Sequence, residues 1–417
     1  MAATLITGAN VWDGVAAQAA PRQVLVVDGR IQKLGDAIEA PADARVVDLT
    51  GHTVTPGFID CHVHVTLTPP LGLMLALESS TTKTLKSLPV LRALLMNGFT
   101  TVRDLGCGDT DYPTVDLRNA VAAGIVEGPR MLVAPHLISA RGGHGDFSGM
   151  VADEYQGCCR QLELASADGG DEIRTRVRQE IRAGADWIKF GATGGFASPS
   201  DDPGHATYSQ EEMDVLVATA RDLDIPVTPH SYGDEGIRRA VKAGVRSIEH
   251  GNLASPETLR MMEDAGVFLV PTQHTILSGA RRGKDDPIWM ALPEHSQRKL
   301  DRYRGTLLDA AEHLAGSNVR IAFGTDAGMF PHHDNWREFP MMVSNGISEL
   351  RALRAATSEA AALLRRDDLG VIAEGKTADL IAMPGDPLTD IDVTGKVDFV
   401  MKAGVIHKDP TAPTAPV

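Results

Sequence analysis

His62 and His64, one residue apart in Phe58-Ile59-Asp60-Cys61-His62-Val63-His64, have the plainest chemical use of any residues in this chain. The stretch follows the turn signal Thr55-Pro56-Gly57 and is short, apolar and bounded by breakers, which predicts a strand. Side chains two apart on a strand point the same way. The two imidazoles therefore share one face, with Val63 on the other. A pair of imidazoles held on a rigid strand is half of a metal site. Taken alone, the pair reads equally well as two satisfied core histidines.

A metal site needs elements that hold such residues still, and the chain repeats one. A helical pattern ends in glycine and an apolar strand follows: Asn97-Gly98 before Thr100–Leu105, Ala183-Gly184 before Trp187–Ala192, Ala243-Gly244 before Ser247–His250, and Ala265-Gly266 before Phe268–Thr272. Glycine just past a helix takes the left-handed conformation that ends it. Met131–His136, Pro226–Ser231 and Arg320–Asp326 fill the gaps, and with Phe58–His64 the strands number eight. Helical patterns such as Gln210–Leu223 and Ser348–Leu364 lie between or after them. Strands alternating with helices make a parallel sheet, and eight such units suggest a closed (β/α)8 barrel. The two ends differ in texture. Thr4–Ile6, Gln23–Val27, Ile31–Leu34 and Arg45–Asp48 are short strands, with the hairpin signal Asp28-Gly29 between two of them. Leu380–Met383, Val397–Met401 and Val405–His407 match them at the other end. The expected fold class is α/β: a TIM barrel over residues 56–368, a small β-sandwich domain built from residues 1–55 and 369–408, and a disordered tail over 409–417.

In such barrels the chemistry sits at the C-terminal ends of the strands. The first strand ends in His62 and His64, the fourth carries Lys189 inside an apolar run, the fifth ends in His230, the sixth in His250 and the eighth in Asp326. Each has a bland alternative. Lys189 can snorkel to the rim, His230 and His250 can be satisfied core residues, and Asp326 can cap the helix that follows. The joint pattern is hard to obtain from packing alone. An uncompensated buried lysine is costly. Carbamylation by carbon dioxide would make it an anionic oxygen ligand able to bridge two divalent cations.

Bulk composition narrows the partners. The formal net charge is −15, from 55 acidic and 40 basic residues among 417, which argues against nucleic-acid or anionic-membrane surfaces. No apolar run is long enough to span a bilayer. The first residues lack the basic and apolar regions of a signal peptide, so a soluble, cytoplasmic protein is expected. Cys61, Cys107, Cys158 and Cys159 form no Cys-x-x-Cys pair or disulfide framework and read as buried thiols.

These residues resemble the amidohydrolase superfamily over nearly the whole chain. The matching stretches are Pro56-Gly57-Phe58-Ile59-Asp60-Cys61-His62-Val63-His64, Lys189, His230, Glu249-His250-Gly251 and Gly324-Thr325-Asp326-Ala327-Gly328, with Glu374-Gly375-Lys376-Thr377-Ala378-Asp379-Leu380 at the return to the β domain. Within it the chain is most similar to the imidazolonepropionase-like group, which includes binuclear-metal Xaa-Pro dipeptidases and related amidases and carbamate or urea hydrolases. Gly142-Gly143-His144-Gly145-Asp146 and His230-Ser231-Tyr232-Gly233 fit that group. The resemblance implies that His62 and His64 hold one metal with Asp326, that His230 and His250 hold the second, and that carbamylated (N6-carboxy) Lys189 bridges them. Imidazole and carboxylate oxygen suit zinc, with cobalt or manganese also compatible. It further implies attack by a metal-bridging hydroxide on a substrate carbonyl, with Asp326 shuttling the proton and His144 and Tyr232 donating to the developing oxyanion.

Substrate choice lies in the loops after the strands. Arg141, beside Gly142-Gly143-His144, is the first candidate to hold a substrate carboxylate, against a reading as a solvated loop charge. The loop after the seventh strand carries Gln273-His274 and Arg281-Arg282-Gly283-Lys284, and the loop after the eighth carries Phe330, His332 and His333. Leu67, Leu71, Leu73 and Met74 form either an apolar wall for a bulky acyl or aryl group or part of the core. The expected activity is a metallopeptidase-like hydrolysis of a C–N amide bond in an N-acyl amino acid, dipeptide or bulky aryl amide. The alternative is a carbamate or phenylurea hydrolase on the same metals. A mononuclear deaminase has no need of Lys189, and a scaffold without catalysis would have lost ligands. The partner is a small-molecule amide, and an oligomer of unfixed number is expected. His52, His136, His205, His295, His313 and His407 match no ligand position and read as structural.

Overall fold

A computed structural model of the chain describes residues 3–39, 41–68, 78–146, 148 and 165–410. Leu71, Leu73, Met74, Cys158, Cys159 and the tail beyond residue 410 lie outside them. Strands from both ends of the chain pair with one another. β1 (Ala3–Thr7), β4 (Gln23–Val27), β5 (Arg30–Gly35) and β6 (Arg45–Asp48) form a four-stranded sheet in the order β5-β4-β1-β6. β2 (Asn10–Val11), β3 (Ala20–Pro21), β7 (His52–Pro56), β16 (Leu380–Pro384), β17 (Phe399–Lys402) and β18 (Val405–Lys408) form a second in the order β18-β17-β16-β7-β2-β3. Ile6, Val24, Val47, Val54, Leu380, Phe399 and Met401, from both sheets, pack into one buried cluster.

The middle of the chain is parallel. β8 (Phe58–Val63), β9 (Phe99–Asp104) and β10 (Arg130–Val133) make one sheet. β11 (Leu137–Ile138), β12 (Ile188–Gly191), β13 (Val227–Ser231), β14 (Ser247–His250) and β15 (Phe268–Val270) make another. The carbonyl of Val133 accepts the amides of Asp186 (2.8 Å) and Trp187 (3.1 Å), which links the two. The helices Gly169–Ala183, Asp234–Ala243 and Pro256–Ala265 end on Gly184 (φ 105°), Gly244 (φ 93°) and Gly266 (φ 65°), the left-handed stops expected from the sequence. No helix among the described residues is long and apolar enough to cross a membrane.

Three elements depart from expectation. The stretch Met131–His136 is not one strand: it stops at Val133 and resumes at Leu137, because Pro135 has no amide for the ladder. The helical pattern Ser348–Leu364 divides into Glu349–Ala355 and Ser358–Leu363 around Thr357, whose ψ is −97°. Arg320–Asp326 is no regular strand. It makes isolated bridges instead, Leu269 with Ile321 and Val63 with Ala327. Ala322 N donates to Leu269 O (2.9 Å) on one side and Cys61 N donates to Phe323 O (2.8 Å) on the other. Asp326 then turns the segment with a positive φ of 61°, and the amides of both Thr325 and Asp326 donate to His62 O.

Candidate metal centre

Six of the predicted residues come together where these parallel segments end. His62 lies on β8, His64 just after it, Lys189 on β12, His230 on β13, His250 at the end of β14 and Asp326 on the irregular last segment. His62, His250 and Asp326 each offer a ligand atom, and the three atoms lie within 4.8 Å of one another. Asp326 Oδ1 is 3.1 Å from His64 Nε2 and 3.4 Å from His62 Nε2. Ring centroids are 5.0 Å apart for His62 and His250, and 4.5 Å for His230 and His250.

Backbone strain marks the same corners. His250 (φ 72°), Thr272 (φ 42°) and Asp326 (φ 61°) are left-handed without being glycine. Such conformations cost about 1–3 kcal/mol each and persist where the surroundings over-determine them. Here the surroundings are specific: His250 Nδ1 and Thr272 Oγ1 are hydrogen bonded at 2.8 Å, and Asp326 N donates to His62 O at 2.7 Å.

The rings are oriented from behind. His62 Nδ1 meets Glu249 Oε2 at 2.9 Å, and His64 Nδ1 meets the carbonyl of Gly106 at 2.8 Å. With Nδ1 engaged, Nε2 is the free ligand, the usual construction behind a metal-bound histidine. Among these six residues two buried polar atoms have no hydrogen-bond partner, Lys189 Nζ and His230 Nε2. Orphans of this kind are rare and costly in a finished core. Burial pulls Lys189 down to about 7, and it also pulls His230 and His250 well below the usual histidine value. Burial would raise Asp326, yet the His62 and His64 rings beside it, with Nε2 at 3.4 and 3.1 Å, outweigh it and hold the carboxyl well below its usual range. The imidazoles, neutral at His230 and His250, an ionised carboxylate and an unpartnered amine make a donor set that fits divalent cations.

Arg103, Glu249 and Asp60 were not singled out as site residues by the sequence reading. Arg103 on β9 is fully buried, with its guanidinium 4.4 Å from the centroid of the Trp187 ring. Its Nη2 donates to Glu249 Oε1 at 2.6 Å. The signal was available: an arginine inside an apolar strand is as unusual as Lys189. Asp60 accepts the amides of His62 (3.1 Å) and Thr325 (3.2 Å), the Thr325 hydroxyl (2.7 Å) and Asn335 Nδ2 (3.3 Å).

Two further predicted residues join the cluster. The His144 ring stacks on His230 with centroids 3.9 Å apart, and its Nδ1 lies 2.9 Å from Ser198 Oγ and 3.7 Å from Asp201. Tyr232 stacks on His250 at 4.8 Å, with its back against Phe196. Beside them lies a cavity of about 310 Å³ lined by Gly142, Gly194, Ser200, Asp201, Asp202, His205 and Thr207. Arg141 is not brought to the cluster. Its Nη1 donates to Asp168 (2.6 Å) and Glu172 (3.0 Å) at the start of a helix, and its side chain is 52% exposed. The other basic loop residues are likewise engaged nearby, Arg282 with Asp286 and Lys284 with Asp301. His136 is held by Glu180 at 3.0 Å, a structural role.

Residues 53–406 match the family model described as Amidohydrolase family. The chain is 32% identical to ochratoxinase of Aspergillus niger over 338 residues, 76% of this chain and 67% of the relative. It is similar to the crystal structure of a Xaa-Pro dipeptidase with bound methionine in the active site, at a TM-score of 0.89 and 33% identity, covering 98% of this chain and 100% of that one. The crystal structure of A. niger ochratoxinase gives a TM-score of 0.85 at 28% identity, covering 99% and 97%. The chain belongs to the amidohydrolase family and is an enzyme that hydrolyses carbon–nitrogen bonds.

Proposed function

From that membership, we propose that the chain cleaves the amide bond of an N-acyl amino acid, dipeptide or bulky aryl amide on a site for two divalent cations. The observation that carries the reading is the convergence of four histidines and Asp326 around a buried lysine whose Nζ has no partner. His62, His64 and Asp326 would hold one cation, and His230 and His250 the other. Lys189, pulled down to about 7 by burial, is about half in the neutral amine form near neutral pH. Its nitrogen could add to carbon dioxide and release one proton, leaving a carbamate that would supply an anionic oxygen ligand. Bound divalent ions, zinc first, supply an activated water and polarise the substrate carbonyl. Asp326, wedged between His62 and His64, takes the proton freed as the C–O bond forms and passes it to the departing nitrogen. His144 and Tyr232 stand over His230 and His250 and can donate to the developing oxyanion, worth roughly 3–4 kcal/mol per donor.

The parallel segments are read as a (β/α)8 barrel over 56–368, with a β-sandwich from 1–55 and 369–408. The hydrogen bonds of Leu269, Ala322, Phe323 and Cys61 across the last segment support it.

A second reading, a carbamate or phenylurea hydrolase on the same site, is favoured by Arg141, whose guanidinium is committed to Asp168 and Glu172. A mass-spectrometric screen of zinc-loaded protein separates the two. It pairs amides bearing a free C-terminal carboxylate with carbamates, ureas and esters lacking one. Cleavage of the carboxylate set is expected, in keeping with relatives called ochratoxinase and Xaa-Pro dipeptidase. Cleavage of the carboxylate-free set alone overturns the first reading in favour of the second.

A further inference from the structure

Beneath the metal ligands runs a chain of buried hydrogen bonds whose direction is fixed at one end. Arginine only donates and keeps its protons in proteins. Arg103 donates from Nε to Cys61 O (2.7 Å), from Nη1 to Ser247 Oγ (3.3 Å) and from Nη2 to Glu249 Oε1 (2.6 Å). The same Oε1 also accepts the hydroxyls of Thr228 (2.6 Å) and Ser247 (3.0 Å). Among the described residues, Oε2 has one partner, His62 Nδ1 at 2.9 Å. Arg103, Thr228, Ser247 and Glu249 are fully buried and His62 is 1% exposed, so solvent offers no alternative partner, and Asp326 Oδ1 on the other side of the ring lies 3.4 Å from Nε2, beyond the usual N–H···O range that Glu249 meets at 2.9 Å.

We propose that Arg103 and Glu249 are positioning residues that decide which ring nitrogen of His62 carries the proton, and so present Nε2 as a bare lone pair to a cation. The inference rests on the metal-site reading above. Each step follows from the one before. Arg103 and two hydroxyls occupy Oε1, which pins the carboxylate plane. Oε2 then faces His62 as an acceptor, so Nδ1 must be the donor. The same pinning leaves Lys189 without a carboxylate partner, although Glu249 is the anion that acts on it most strongly. His64 has only a neutral carbonyl behind it, so the two histidines of the pair are unequal ligands. An anionic acceptor makes an imidazole the stronger ligand.

Glu249→Gln tests this because it changes one atom's role. Three donors converge on the Oε1 position, so the glutamine oxygen must occupy it and the amide N–H2 must face His62 Nδ1. Two donors cannot pair, and His62 is driven to the Nε2–H form. The readout is the ring ¹⁵N shifts of histidine-labelled, chelator-stripped protein in mildly alkaline buffer, with His62 assigned by its loss in His62→Gln. Nδ1–H is expected in the wild type and Nε2–H in Glu249→Gln, with zinc affinity at one of the two sites falling about 10- to 100-fold. Nε2–H in the wild type overturns the proposal, as does a Glu249→Gln protein with unchanged tautomer and zinc affinity. If Glu249→Gln does not fold, the wild-type tautomer decides alone. If the wild type takes up no zinc, the metal reading fails while the tautomer still decides this inference.

Discussion

Replacing Gly324 with alanine should injure the site through packing alone. Gly324 lies on the irregular segment between β15 and β8. A methyl group there would sit 2.3 Å from Val270 Cγ1, 2.9 Å from His62 Cβ and 3.2 Å from His62 N. Carbon atoms rest about 3.5–4.0 Å apart, so something must yield by roughly 1 Å. Val270 is fully buried on β15, and the other two atoms belong to the backbone and first carbon of a candidate ligand. Neither side has free space, so the segment and β8 must move apart. Overpacking of this kind costs about 1–3 kcal/mol, and a displacement near 1 Å at a catalytic group costs about 10²-fold in rate. The matched control is Gly305→Ala, on the helix Glu294–Ala315, where nothing lies within 4 Å of the new carbon. It should stabilise by about 0.5–1 kcal/mol. Thermal midpoints and kcat/KM of the two variants, measured with bound zinc counted, give the comparison. A Gly324→Ala protein as stable and active as the wild type would refute the packing argument.

Other consequences can be checked as readily. Asp326→Asn should lose about 10²- to 10⁴-fold in kcat as a proton shuttle while keeping its zinc by elemental analysis; unchanged turnover removes Asp326 from that role. Stripping with a chelator should lower the thermal midpoint and zinc should restore it, since a ligand at 100 times its Kd adds about 2.7 kcal/mol; identical melting curves would count against a native metal. Arg366 (2.8 and 2.9 Å) and Thr377 (2.9 Å) hold the Asp368 carboxyl below its ordinary 3.8. A depressed carboxyl stabilises above the unfolded value and loses that contribution as pH falls through the folded one. Asp368→Asn should therefore melt lower than the wild type near neutral pH, with the gap narrowing below about pH 4; a constant gap would rule out the linkage.

What the sequence made legible was local. Asp28-Gly29 announced a hairpin, and its φ angles of 49° and 77° are those of the tight turn such a pair favours. The Ala-Gly endings announced helix stops. His62, His64, Lys189, His230 and His250 were legible because each polar side chain falls in or just after an apolar strand of the repeating pattern, and together they are hard to obtain from packing alone. What escaped depends on partners far apart in sequence. Arg103 meets Glu249 across 146 residues, and no periodicity reports that. Arg141 was read from its neighbours at 142–144, but its guanidinium answers to Asp168 and Glu172. The last parallel segment had the apolar run of a strand, yet Gly324's close approach and the turn at Asp326 keep it from becoming one.

Asp60 has a bearing on the order in which the molecule assembles. Its carboxylate ties the amide of His62 to the amide and hydroxyl of Thr325, 265 residues further along the chain. Contacts of such separation carry the largest loop-closure cost and reward the chain only once the intervening elements are in place. The seam at Asp60 is thus expected to close late. His62 and Asp326 stand on opposite sides of it, so half-made chains cannot yet assemble the complete metal-binding set. Pulsed hydrogen exchange during refolding would reveal the order: the Thr325 amide should gain protection after those of β12, β13 and β14, and early protection would contradict it.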